Sequence, residues 1–342
     1  MSNRWIAGRL GRLVSGLLLV AVGCKDEPSP PATPPTAPPS PPAKPAIVGV
    51  DEQDDPNAPL YFPKSNEVLT WVKVKPVASA VPGELDTLKL TVVPPARLGG
   101  YNIQRATTAT YRRTINGQEQ TAWVELVQAR SPTDALGILT VSKAWPPMAA
   151  APGLLGVADT LSTAGLLEAK GNCWVAITGP EAGQGGWGEA ARALMDRILF
   201  DVPQQPSPSG PWELLIGEAD NVWIVRSAAS LPLTLREQIG IDNAGRIDSV
   251  LGLNKDRLMV VAAYTKPTLR RPNFVWLVAY DTPADALAAH GRVAAHLETS
   301  TTPLGARSMV AKPMGRYLAG SWSAEEESIL MTLTRLHRKL GS

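Results

Sequence analysis

Val124-Glu-Leu-Val-Gln-Ala-Arg-Ser-Pro-Thr-Asp-Ala-Leu136 and Val275-Trp-Leu-Val-Ala-Tyr-Asp-Thr-Pro-Ala-Asp-Ala-Leu287 are one pattern written twice, identical at seven of thirteen positions, with Ser131 matched by Thr282. In each copy an apolar run of strand character stops at a hydroxyl residue followed by proline and, two residues on, aspartate. That is how a helix begins. Ser131 and Thr282 suit the N-cap, and Pro132 and Pro283 suit the first helical position, where the missing N–H is not needed. Asp134 and Asp285 fall at the third position, where a carboxylate meets free amides and the positive end of the helix dipole. Helix starts therefore account for both aspartates.

The flanks extend the correspondence. Tyr111 to Ile115 and Thr121 to Val127 read as strands around Asn116-Gly117, a strong hairpin signal. In the second copy, Leu258 to Tyr264 pairs with Phe274 to Tyr280 through a longer loop holding Arg270 and Arg271. Downstream, Leu166 to Ala169 and Cys173 to Thr178 flank Lys170-Gly171-Asn172; their counterparts are Ser308 to Lys312 and Tyr317 to Ser321 around Met314-Gly315-Arg316. A helix follows each, about Trp187 to Phe200 and about Ala324 to Leu340. The last helix carries Glu325, Glu326 and Glu327 at its start and Arg335, His337, Arg338 and Lys339 near its end, which complements its dipole. The expected fold is α+β: two tandem similar domains, 60–205 and 211–342, joined at Pro203 to Pro211. Each is a small antiparallel sheet with helices packed on one face.

Ahead of the body stands a different composition. Ten of the 32 prolines fall between Pro28 and Pro45, and residues 24–59 hold few large apolar side chains and an acidic patch from Asp51 to Asp55. Such a segment cannot offset its ordering entropy and is expected to be a disordered tether. At about 3.1 Å per residue its proline run reaches roughly 50 Å. Residues 1–23 have the three parts of an export signal: Arg4, Arg9 and Arg12, then the apolar stretch Leu13 to Val22, then Ala21-Val22-Gly23 before Cys24. Ten apolar residues are half of what a spanning helix needs, about 20.

The small residues before Cys24 resemble the lipobox of bacterial lipoproteins. The resemblance implies diacylglyceryl transfer to the Cys24 thiol, cleavage before it, and acylation of the new amino terminus. Cys24 is then the lipidation site and the membrane the first partner. Lys25 follows it, where an inner-membrane retention signal has aspartate, so the resemblance leans towards the outer membrane. The body resembles an uncharacterised family of exported bacterial proteins, through Ser131, Pro132, Asp134, Ala135 and Gly137 at a helix start, and Lys170, Gly171 and Trp174 at a later strand. That resemblance implies architecture only.

Without the three leader arginines, 30 basic residues face 31 acidic ones, which lacks the basic excess of a nucleic-acid binder. Cys173 is left without a cysteine partner and reads as a small buried hydrophobe on a strand. Gly183-Gln184-Gly185-Gly186-Trp187-Gly188 fits a dinucleotide-binding pattern, and Asp201 lies near the expected ribose acid. The intervening helix leaves no room for the second strand that site requires, so the expectation is a flexible glycine loop with no cofactor. His290, His296 and His337 form no metal-ligand pattern, and His290 and His296 are six apart, on different helix faces. No catalytic, cofactor or metal residues are assigned. Among the tryptophans, Trp123, Trp174, Trp223 and Trp276 are expected in cores; Trp71, Trp145, Trp187, Trp212 and Trp322 lie near turns or element starts, where lining a groove for glycan or peptide is one reading and core packing the preferred one. The leading expectation is a non-enzymatic envelope lipoprotein that binds an envelope protein or glycan, with the domain junction as its default contact site. A hydrolase acting on an envelope polymer and a structural spacer remain open.

Overall fold

The hairpin around Asn116-Gly117 is the frame of the first half. In the computed structural model, β2 (Ile103–Ile115) and β3 (Gln118–Ala129) pair along nearly their whole length. Asn116 and Gly117 both take positive φ, 50° and 76°, as a two-residue turn matched to strand twist requires. The structure describes residues 47, 49–51, 54–55, 61–142, 159–161, 165–180, 182, 185–215, 219–241, 243–265, 272–299, 307–323, 333–334, 336 and 338–339. The leader, Cys24, the proline run, Trp145, Arg270, Arg271, His337 and Glu325 to Glu327 lie outside these residues.

The fold is α+β. Strands β1 (Val72–Ala80), β4 (Asp159–Leu161), β5 (Gly165–Lys170) and β6 (Cys173–Thr178) complete a six-stranded antiparallel sheet in the order β1-β2-β3-β6-β5-β4. The second sheet holds β7 (Asn221–Val225), β8 (Met259–Tyr264), β9 (Asn273–Ala279), β10 (Arg307–Val310) and β11 (Tyr317–Ser323), in the order β10-β11-β9-β8-β7. Set aside the short edge strand β4, and the orders coincide: β1-β2-β3-β6-β5 matches β7-β8-β9-β11-β10. The written repeat is a repeat of topology. The remaining helices are α1 (Pro95–Leu98), α2 (Pro132–Ser142), α3 (Trp187–Phe200), α4 (Leu233–Ile239), α5 (Ala244–Leu251) and α6 (Pro283–Thr299). Among the described residues no helix is long and apolar enough to cross a membrane.

Side-chain alternation divides the first sheet into two faces. Cys173, Val175 and Ile177 pack with Ala190, Leu194 and Ile198 of α3. Trp174 and Ala176 point the other way, into a core shared with Leu136, Ile138 and Leu139 of α2. All six residues of β6 are buried because α2 and α3 cover opposite faces. α2 itself has no polar face, and Asp134 to Ser142 are all buried. Beyond it lies the second half. The core that holds α2 runs on through Trp223, Val261, Trp276 and Leu318. All described residues belong to one compact unit, 46–342.

The contact between halves is specific. β7 is the edge of its sheet, and α2 and Tyr101 close it: the Ile224 amide donates to Thr140 Oγ1 at 3.0 Å, and the Tyr101 hydroxyl donates to the Ile224 carbonyl at 2.8 Å. Gly137 lets α2 approach, since a Cβ there would stand 2.6 Å from the Tyr101 ring and 2.8 Å from the Ile224 carbonyl. Arg97 of α1 reaches across, its Nε donating to the Ser230 carbonyl at 3.1 Å while the Ser230 hydroxyl donates to the Arg97 carbonyl at 2.7 Å.

The paired helix starts are built as expected and used differently. Ser131 Oγ accepts from the Asp134 amide at 3.1 Å, and its hydroxyl donates to Asp134 Oδ2 at 2.7 Å; Thr282 and Asp285 repeat this at 3.2 and 2.7 Å. Asp285 is exposed. Asp134 is 1% exposed and its other oxygen takes Nε of Arg226 at 2.5 Å, an ion pair between the halves. Removing one partner of a buried pair strands the other charge. Asp134→Ala should therefore cost about 3–5 kcal/mol, and Asp285→Ala, the same edit in the second copy, well under half of that. Urea unfolding of the two variants measures the difference, and equal losses would refute the assignment.

Candidate functional site

The glycine motif supports packing. Gly183 and Gln184 lie outside the described residues. Gly186 caps α3 with no side-chain bond, and its carbonyl accepts from Arg113 Nη2 at 2.7 Å. Trp187 is buried, with its indole N–H on the Thr121 carbonyl at 2.9 Å. Arg113 is also fixed by Gln120 Oε1 at 2.9 and 2.6 Å and stacks 4.9 Å over Trp71. Asp201 follows α3 and pairs with Arg197 at 2.7 Å on the surface, as an ordinary i,i+4 pair. His290 and His296 both lie on α6 and are half-buried. Among the described residues no three His, Cys, Asp or Glu side chains gather as a ligand set.

The junction, named above as the default contact site, is filled by the bonds of Tyr101, Thr140, Asp134 and Arg226, with Asn102 Nδ2 adding a bond to the Lys255 carbonyl at 2.9 Å. It is a seam of the core.

One tryptophan needs correction. Trp71, Trp187, Trp212 and Trp322, for which core packing is preferred to a groove, are buried. Trp174, Trp223 and Trp276 fill the core as expected, but Trp123, assigned with them, is 44% exposed. The signal was in the strand: Thr121-Trp123-Glu125 alternates with Ala122-Val124-Leu126, so Trp123 belongs to the more polar face of β3.

On that face a row of partnered residues crosses the sheet: Lys75 on β1, Thr110 on β2, Trp123 on β3, Thr178 on β6 and Gly165 on β5. The equivalent row of the second sheet reads Asn221, Ala263, Phe274, Trp322 and Ser308. Phe274, Ala263 and Trp322 are buried there, and Trp322 lies 5.9 Å from Trp276 between ring centroids. The first half replaces this closed aromatic core by threonines, a lysine and one open indole, with Arg112 exposed beside them on β2. One row further in, Glu125 stands where the second sheet has Trp276. Burial pushes its carboxyl upward in pKa, although it accepts from the Thr91 amide and hydroxyl, both at 2.6 Å, and from the Val92 amide. Glu125 thus ties down the loop at residues 91–92 and is sealed from solvent, while Trp123 is presented to it.

Cys173 sits under α3, wholly buried, and desolvation pushes its thiol up to about 12. A thiol so held is a poor nucleophile. In a Cys24→Ser chain, iodoacetamide at neutral pH should leave Cys173 unmodified by intact-mass spectrometry until denaturant is added; rapid alkylation of the native form would contradict its placement. No family model matches the chain, and neither the curated proteins nor the solved structures yield a match.

Proposed function

We propose that the protein is an exported, lipid-anchored module of the bacterial cell envelope, held to the membrane through Cys24 and its proline-rich tether, that binds an envelope glycan or protein through the open sheet face around Trp123. The observation that carries the binding site is the contrast between equivalent rows. Two sheets share one strand order, and the position that is a buried Phe274–Trp322 strand pair in one is an exposed indole beside Thr110, Lys75 and Arg112 in the other. An exposed indole beside the Thr110 hydroxyl and the cations of Lys75 and Arg112 offers a stacking surface with hydrogen-bonding flanks, and aromatic residues and arginine are enriched where one protein meets a partner. The anchor rests on the leader and Cys24 alone, and the reading is non-enzymatic.

The anchor and the contact surface are tested separately. Cys24→Ser should abolish metabolic labelling with palmitate and release the chain from membranes, and persistent labelling would remove the anchor from the account. Trp123→Ala, at a half-open position, should leave the unfolding midpoint close to that of the parent yet strip the anchored protein of its crosslinked envelope partner in a pull-down. An unchanged crosslink pattern would move the contact surface elsewhere.

A further inference from the structure

Asp51, Asp54 and Asp55 of the acidic patch, assigned above to the disordered tether, are seated on the body. β1 is the outer strand of its sheet, and Val50, Asp51, Asp54 and Asp55 lie along its open edge. The Val50 amide donates to the Lys73 carbonyl and the Asp55 amide to the Val77 carbonyl, both at 3.0 Å. Between these bonds the carboxylates do the fastening. Asp54 Oδ1 accepts from the Val77 amide at 2.7 Å and its Oδ2 meets Lys73 Nζ at 2.5 Å; Asp51 meets the same ammonium at 3.2 Å. Asp51 also accepts from the Ser65 amide at 3.1 and 3.0 Å, while Ser65 Oγ accepts from the Lys73 amide at 3.1 Å. Lys73 is 1% exposed, whereas Asp51 and Asp54 are 25% and 27% exposed. A lysine is buried this deeply only against opposite charge, so these acids are part of the folded body.

Among the described residues the fastening is polar: none before Tyr61 belongs to either apolar core, and Ile47 and Val50 are only half-buried. We propose that Val50, Asp51, Asp54 and Asp55 form a releasable clasp along the β1 edge, bolted through Lys73 to Asp51 and Asp54, which lets go when the ion triad is broken while the sheet behind it stays folded. Letting go frees Val50, Asp51, Asp54 and Asp55 from the body and bares the β1 edge beneath them. The clasp itself does not depend on lipidation.

The titratable groups around the triad are Asp55 on the same segment, Glu67 on the loop that carries Ser65, and Tyr111 on β2. Burial raises the Tyr111 phenol, and the negative charges of Asp54, Asp51 and Glu67 raise it further, so all three acids act on one small region. For Asp51, burial alone works upward, but the Ser65 hydroxyl and amide and the Lys73 ammonium outweigh it and hold the carboxyl below its usual value. A depressed carboxyl stabilises the clasp above the ordinary carboxylate range and loses that contribution as pH falls through and below about 4.

Amide hydrogen exchange on the full chain carrying Cys24→Ser separates this from the question of the anchor. In Asp54→Asn and in Lys73→Met, the amides of Val50, Asp55, Ser65 and Val77 should exchange about tenfold faster or more, with Leu126 and Val175 at the sheet centre unchanged. Acid should do the same to the parent. Unaltered exchange at the four clasp amides in both variants would overturn the proposal. So would acceleration that spreads equally to Leu126 and Val175, because the segment would then be an inseparable part of the sheet.

Discussion

An unpaired strand edge has to be satisfied, and the way β7 is satisfied sets the plan of the molecule. The Ile224 amide and carbonyl would be costly to bury bare. Their partners are Thr140 and Tyr101, both from the other half of the chain. To bring them there, α2 must lie between the two sheets without a polar side, close enough that position 137 is glycine, with Asp134 turned to Arg226. Two units with matching topology thereby become one body with a continuous core. A cut at Pro203 to Pro211 would leave the second unit with an open backbone edge, the kind of surface that aggregates.

Much of this was legible because local chemistry wrote it down. Reversals appear as Asn116-Gly117, Gly171 and Gly315, each with positive φ, and side-chain size forbids most alternatives there. Helix starts appear as hydroxyl, proline and aspartate. The bounds of α3 follow from its apolar period and match the reading of Trp187 to Phe200. What escaped depends on partners distant in sequence. β1 contains Pro76 and two register irregularities, and its Lys73 reads as a solvent-facing charge until Asp51 and Asp54 are placed beside it. The short helices α4 and α5 and the edge strand β7 lean on neighbours more than on their own periodicity. Trp123 was misassigned because hydrophobicity suggests burial, although its alternation with Thr121 and Glu125 already put it on the more polar face of β3.

Repetition gives the molecule an internal control. Asp134 and Asp285 make the same capping bonds, but one is recruited into a buried ion pair and the other remains at the surface. Trp123 and Phe274 occupy the same place in the same strand order, one open and one sealed. Such divergence at equivalent positions separates what the architecture requires from what one copy has been free to change.

Cys173 has a bearing on how the chain matures. In an oxidising compartment a stray thiol invites mispairing between copies. Packing against α3 withdraws this sulfur from chemistry as soon as the sheet forms, and acylation would consume the other one. If the chain is exported and Cys24 acylated as proposed, folding requires no disulfide-forming oxidase or disulfide isomerase, and the finished molecule carries no free thiol exposed for joining two copies.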